Sequence, residues 1–158
     1  MTAPDDSNVR PDKLELVITR LLDAPPALVY KAWTEPEHMV RWLGPKGFTA
    51  PSARLDLRVG GHYRALIRSA EGKDYRFRGT YREVVENERL VFTFAWEEDG
   101  ERGGENLVTV TFAEEGGKTR MTFRQVPFPS LEERDGHAGG WSEAFDKLGR
   151  YVAAMRPA

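Results

Sequence analysis

The sequence predicts an α+β domain in which a curved antiparallel sheet of about seven strands wraps a long C-terminal helix. Apolar and polar residues alternate over segments separated by short turns rich in Gly, Asn and Asp, which is typical of an antiparallel meander. After Pro127 and Pro129 this alternation gives way to an apolar repeat of helical period. The chain has 158 residues, of which 40% are hydrophobic, and this is the size of one domain with a packed core.

The first strand is predicted to begin near residue 14. Residues 1–12 are polar, contain two prolines and show no periodicity, so we expect a disordered tail there and a single domain over residues 13–158. Leu14, Leu16 and Ile18 then alternate with intervening residues, which indicates a strand with one face toward a core.

Two short helices are predicted next. The Pro-Pro pair at 25–26 suits the first turn of a helix, where missing N–H groups cost little, and this helix is predicted to end near Trp33. Pro36 opens a second helix, which Gly44 and the proline after it end. Apolar residues on one side of each helix indicate that both pack on the core.

Six further strands follow from the turn signals. We place them near 53–58, 62–69, 74–85, 89–97, 106–114 and 118–126. One phase of the alternation is rich in aromatic residues, and the other is rich in Arg and Thr. The aromatic face is predicted to cover the long helix, because a one-sided sheet must bury its apolar face.

The closing helix is predicted from an apolar stripe over four turns. Its members are Trp141, Phe145, Leu148, Val152 and Met155. The start of the helix stays open between residues 130 and 137, because three glycines, at 136, 139 and 140, disfavour a start at Leu131.

The composition excludes several kinds of site. Without cysteine there is no disulfide, no thiol nucleophile and no Cys-based zinc or iron–sulfur centre. The three histidines, at 38, 62 and 137, match no local metal motif, and neither a G-x-S-x-G elbow nor a phosphate-binding glycine motif occurs. We therefore expect no cofactor and no protein-bound metal.

Charge and hydropathy limit the partners. A formal net charge of −2 gives no overall attraction to nucleic acid or to an anionic membrane. The N-terminal residues lack the pattern of a secretory signal, and no stretch approaches the roughly 18 consecutive apolar residues of a transmembrane helix. We expect a cytoplasmic protein with no nucleic-acid or membrane partner.

The leading functional hypothesis is a non-catalytic protein that binds a hydrophobic or aromatic small molecule between sheet and helix. The predicted interior is either filled by the aromatic side chains or hollow enough to hold a ligand, and the sequence leaves both open. The candidate ligand-binding residues are Trp33, Trp42, Tyr63, Phe77, Tyr81, Phe92, Phe94, Trp96, Trp141 and Phe145.

Three further residues are candidates for acid–base chemistry. Glu83 falls on the aromatic phase, so it is either a buried carboxylate or a strand-end residue that reaches solvent. His62 is either an acid–base group or a surface histidine, and His137 either gates a pocket mouth or caps a helix.

The arginine stripe has two interpretations. Its members lie at positions 64, 68, 76, 78, 82, 120 and 124. They either bind phosphate or acidic partners or form a solvated face paired with nearby glutamates, and the second interpretation is preferred.

Four motifs carry a family resemblance. They are AWTEPEH at 32–38, RWLGP at 41–45, RVGG at 58–61 and HAGGW at 137–141. In order and spacing they resemble the bacterial proteins similar to the C-terminal domain of the activator of heat-shock protein 90 ATPase, within the START-like (SRPBCC) superfamily. The resemblance implies a helix-grip fold with a hydrophobic cavity under the long helix.

The resemblance also supplies two alternatives. One is a co-chaperone-like interaction module with a chaperone as partner, although the eukaryotic activator carries a preceding domain for which a 12-residue tail cannot substitute. The other is a cyclase- or hydrolase-type enzyme that uses the same cavity. Many relatives resemble Trp-Trp where this chain has Trp42-Leu43, so the shape of that wall is expected to differ. Either a monomer or a homodimer fits the sequence.

Overall fold

The computed structural model describes residues 9–10, 13–97 and 104–155, which form one antiparallel sheet and three helices. In chain order the elements are β1 (Val9–Arg10), β2 (Lys13–Leu22), α1 (Pro26–Thr34), α2 (Pro36–Met39), β3 (Thr49–Leu55), β4 (His62–Arg68), β5 (Asp74–Val85), β6 (Arg89–Trp96), β7 (Asn106–Glu115), β8 (Lys118–Phe128) and α3 (Leu131–Met155). The predicted fold class and element order are confirmed.

The strands are arranged in the order β1-β2-β8-β7-β6-β5-β4-β3, and every neighbouring pair is antiparallel. Strands β3 to β8 follow one another as a meander, and β2 pairs with β8 at the end of it. Within the predicted tail, Val9 and Arg10 form a short edge strand on β2, so the described sheet has eight strands. The remaining residues of that predicted tail lie outside the described residues.

The predicted boundaries need two corrections near the short helices. Helix α2 is a single turn that ends at Met39, and Trp42 and Leu43 follow it in turns, both buried. Strand β3 begins at Thr49 rather than near residue 53. Its Pro51 lacks an N–H donor and is tolerated because β3 lies at the edge of the sheet.

Helix α3 begins at Leu131, the start that the sequence left open and that the three glycines disfavoured. Ser130 caps this end, since its Oγ accepts from the backbone N–H of Glu133 at 3.1 Å. Two glutamates in the first turn also suit the positive end of the helix dipole. Each glycine costs about 1 kcal/mol relative to alanine, and the capping and packing of α3 outweigh that cost.

Aromatic side chains fill most of the interior between the sheet and α3 on the side next to α1. Trp33 of α1 lies at its centre, with ring centroids 4.8 Å from Trp42, 6.1 Å from Phe145 and 6.3 Å from Trp141. Trp42 donates its indole N–H to the carbonyl of Ala32 at 3.0 Å, which fixes its ring. The predicted aromatic phase of the strands faces this core, and the predicted Arg/Thr phase faces outward.

Candidate functional site

A cavity of about 120 Å³ remains between strands β4 to β6 and the first half of α3. The loop after α2 closes one side of it. The lining residues are mostly apolar: Leu43, Gly44, Pro45, Ile67, Phe77, Phe94, Trp96, Gly136, His137, Gly140, Trp141 and Ala144.

Small residues on α3 leave this space open. Gly136, Gly140 and Ala144 are spaced four residues apart, so they lie on one face of the helix. That face borders the cavity. A Cβ added at Gly136 would meet no atom within 4 Å, and one added at Gly140 would reach only Cγ of Pro45, at 3.5 Å. Two of the three glycines that obscured the start of the helix in the sequence, Gly136 and Gly140, are therefore cavity residues.

A hydrogen bond joins the two sides of the cavity. The indole N–H of Trp96 donates to Nε2 of His137 at 3.0 Å. The imidazole also lies edge-on to Phe128 and Phe94, with centroid distances of 4.9 and 5.6 Å. Because Nε2 accepts, His137 is neutral in this arrangement and carries its proton on Nδ1.

Trp141 is oriented by a chain of buried polar groups. Its indole N–H donates to Oε1 of Gln125 at 3.0 Å, and Nε2 of Gln125 donates to Oδ1 of Asn106 at 2.9 Å. Asn106 in turn donates to the carbonyl of Pro127 at 2.5 Å. Since these amide groups satisfy one another, the chain holds the Trp141 ring as a fixed wall of the cavity.

The loop wall of the cavity is attached to α3 by Lys147. Its ammonium group donates to the carbonyls of Leu43, Pro45 and Phe48, at 3.4, 3.3 and 3.4 Å. Burial lowers the pKa of Lys147, the nearby Arg150 lowers it further, and a neighbouring glutamate partly opposes the change. Three carbonyl acceptors match the three N–H groups of one ammonium, so this contact fixes the loop.

A second void of about 20 Å³ lies deeper and is the size of a single water molecule. It shares Leu43, Phe77 and Trp141 with the larger cavity, so these three side chains separate the two spaces. Tyr63 on its wall donates its hydroxyl to the carbonyl of Thr93 at 2.5 Å. Burial raises the pKa of Tyr63 well above its ordinary value, with smaller contributions from Tyr81 and a glutamate.

The ten candidate ligand-binding residues separate into three groups. Phe77, Phe94, Trp96 and Trp141 line the 120 Å³ cavity. The deeper void is lined by Trp33, Tyr63, Tyr81 and Phe92, together with Phe77 and Trp141. Trp42 and Phe145 line neither space and are packed in the core.

Two of the three acid–base candidates lie away from the cavity. Glu83 is exposed, because a bulge between Tyr81 and Glu83 shifts it off the inward-facing phase. Its carboxylate accepts a hydrogen bond from Arg89 at 2.8 Å. His62 is an exposed residue on the outer face, 3.2 Å from the hydroxyl of Thr80. His137 lies at the cavity, and among the described lining residues it is the titratable one.

Within the described ranges, potential metal ligands also come together outside the cavity. One ligand atom from each of Glu35, Glu37 and His38 lies within 4.8 Å of the others. Both ring nitrogens of His38 already have partners, Tyr151 at 2.6 Å and Glu35 at 3.5 Å. This geometry gives no separate support for a metal, and we assign none.

The comparison with known families decides what kind of protein contains this cavity. A family described as Activator of Hsp90 ATPase homolog 1-like protein matches residues 23–153, from before α1 to nearly the end of α3. The chain belongs to this family. The resemblance carried by the four sequence motifs is thereby confirmed, and the match includes every wall of the cavity. No curated protein matches the chain.

Solved structures of bacterial proteins share the fold of this chain. A protein from Chromobacterium violaceum is 28% identical with a TM-score of 0.79, covering 88% of this chain and 96% of its own. An AHSA1-like protein from Aeromonas hydrophila is 27% identical with a TM-score of 0.75, covering 89% and 93%. These similarities confirm the helix-grip arrangement. None of the helices in the described ranges combines the length and apolar character needed to cross a membrane.

Proposed function

We propose that this protein binds a small aromatic or other apolar molecule, without chemical change, in the cavity under the first half of α3. The observation that carries the proposal is the cavity itself, a preformed space with mostly apolar and aromatic walls. Its described lining includes no carboxylate, and its titratable residue, His137, accepts a hydrogen bond from Trp96. This composition supports binding over catalysis.

The dimensions of the cavity limit the ligand. An apolar cavity of about 150 Å³ is known to hold benzene, so a space of about 120 Å³ fits a molecule of one ring or a short branched chain. A two-ring molecule requires Leu43, Phe77 or Trp141 to move, because these side chains separate the cavity from the deeper void. We therefore expect one-ring compounds to bind without rearrangement of the wall.

A ligand-dependent thermal shift tests this proposal. One-ring apolar compounds should raise the melting temperature with concentration, since a ligand at 100 times its Kd adds about 2.7 kcal/mol of stability. Gly136→Leu places a side chain in the cavity and should abolish the shift. Gly139→Leu is the matched control, because Gly139 is on the same helix, is exposed and lines no part of the cavity. An equal shift in both variants would contradict the proposal.

A second candidate function comes from the family description. The Activator of Hsp90 ATPase homolog 1-like family is named for an activator of a chaperone ATPase, and this supports a co-chaperone-type interaction as the alternative. It predicts that the purified protein increases the ATPase rate of an Hsp90-type chaperone. An unchanged rate together with ligand-dependent thermal shifts would favour the binding function.

A further inference from the structure

The outer face of the sheet carries arginines, and several of them are neutralised by a carboxylate. Arg68 donates twice to Asp74, at 2.6 and 3.2 Å, and Arg120 donates twice to Glu115, at 2.7 and 2.6 Å. Such two-bond pairs use both oxygens of the carboxylate. The interpretation of the stripe as a solvated face paired with acidic residues holds at these positions.

The arrangement differs on strands β3, β4 and β5. Arg54 is directly opposite Arg64, and Arg64 is directly opposite Arg78, so three exposed guanidinium groups lie in one row. Like charges directly opposite one another destabilise a sheet. A row of this kind therefore costs folding stability in the absence of an anion.

Among the described residues, Glu97 pairs with the middle arginine of this row. It accepts two hydrogen bonds from Arg64, at 2.7 and 2.9 Å. Those bonds are the largest cause of its lowered pKa, to which Arg78 adds a smaller electrostatic contribution. Across the described residues, neither Arg54 nor Arg78 has a carboxylate within the 4.0 Å of an ion pair.

The row borders a groove of about 440 Å³ on the outer face. Gly79 and Ala95 contribute to its surface without long side chains, and Gly79 cannot be enlarged, because a Cβ there would lie 1.9 Å from the carbonyl oxygen of Thr93. A second hollow, of about 230 Å³, shares Arg54 and Arg64 with this groove. The pair therefore lies between two hollows that open on the same face.

We propose that this outer-face groove binds a small phosphate-bearing molecule. A carboxylate has two oxygens, and Arg64 alone already satisfies those of Glu97. Arg54 and Arg78, which flank that pair, provide further donors and positive charge, and these match the terminal oxygens and double charge of a phosphate group. The site is independent of the cavity, which lies on the opposite face of the sheet.

The rest of the groove indicates what the phosphate is attached to. Thr80 and His62, which hydrogen-bond to each other at 3.2 Å, provide further polar groups beside the arginines. Glu105 also lines the groove, and its carboxylate repels further negative charge. We therefore expect a phosphate ester or pyrophosphate whose remaining part carries hydroxyl or amino groups rather than a second acidic group near Glu105.

Binding of pyrophosphate and inorganic phosphate to the whole chain tests the proposal, with sodium chloride at equal ionic strength as reference. Pyrophosphate should raise the melting temperature above the chloride reference and shift the Nε–H resonances of Arg54 and Arg78 in NMR spectra. Arg54→Gln and Arg78→Gln should each weaken binding about tenfold or more, because each removes charge-assisted hydrogen bonds. Arg120→Gln, on the same face but paired with Glu115, is the matched control and should bind as the wild type does.

Other results would overturn the proposal. Equal effects of pyrophosphate and chloride would do so, as would equal weakening in Arg120→Gln and Arg78→Gln. Citrate binding more tightly than pyrophosphate would assign the groove to polycarboxylates instead. Arg78→Lys keeps the charge without the planar fork, so it should bind pyrophosphate more weakly than the wild type and more tightly than Arg78→Gln.

Discussion

The indole N–H of Trp96 and Nε2 of His137 form a hydrogen bond of 3.0 Å that joins the end of β6 to the second turn of α3. Both residues line the cavity, so the bond links two of its walls. It requires a neutral imidazole, because a protonated one has two donors and no acceptor. The protonation state of His137 therefore determines whether this hydrogen bond can form.

The first prediction concerns this bond and pH. Protonation of His137 must break it, so acidification should shift the Trp96 indole N–H resonance in the wild type. His137→Ala should lose this change and destabilise the fold by about 1–2 kcal/mol, the cost of one hydrogen bond and a partly buried ring. NMR titration and urea unfolding measure the two effects. An identical indole titration in His137→Ala would show that the change has another origin.

The second prediction concerns the buried chain that holds Trp141. Gln125→Leu leaves the Trp141 N–H and the Asn106 side chain without their partner, and we expect a loss of about 2–4 kcal/mol in the free energy of unfolding. Adding Trp141→Phe removes one of the unsatisfied groups, so the double variant should be less destabilised than the sum of the two single variants. Strict additivity in this double-mutant cycle would contradict the coupling.

The third prediction concerns the loop wall. Lys147→Met removes the donors to three carbonyls of the loop over residues 43–48, so the backbone N–H of Phe48 should exchange with solvent faster. Lys31→Met, at an exposed position of α1, is the control and should leave this rate unchanged. Native-state hydrogen exchange measures it. Unaltered protection of Phe48 in Lys147→Met would show that the lysine does not fix the loop.

The fourth prediction follows from the buried tyrosines. Burial raises the pKa of both Tyr63 and Tyr81, so the folded protein keeps their protons when the unfolded chain releases them near pH 10. The unfolded state then binds fewer protons, and stability must fall as the pH rises above about 10. Ultraviolet titration of the folded protein should show both tyrosines still protonated at about pH 11. Tyrosinate absorbance from all five tyrosines at that pH would contradict this prediction.

Periodicity was sufficient for the architecture because burial on one face imposes alternation on each strand. The inward positions of the strands and the order of elements followed from it. Glu83 shows where the rule fails, since the bulge after Tyr81 changes the phase and has no signature in the sequence. The start of α3 was also obscured, because capping and tertiary packing outweigh the low helix propensity of its glycines.

The cavity was harder to predict than the fold. Periodicity tells which side chains face inward but not whether they fill the space they face. Trp42 and Phe145 face inward and are packed, whereas Phe94 and Trp96 face inward beside a cavity. The available signal was the spacing of Gly136 and Gly140, four residues apart next to the apolar stripe, which removes volume from one face of α3.

The central claim is that the space beside Gly136 is a ligand site, and NMR contacts from a bound one-ring compound such as toluene test it most directly. We predict intermolecular nuclear Overhauser effects from toluene to the side chains of Phe94, Trp96 and Trp141, all of which disappear in Gly136→Leu and persist in Gly139→Leu. Contacts confined to other surfaces, or contacts to these rings that persist in Gly136→Leu, would contradict the account.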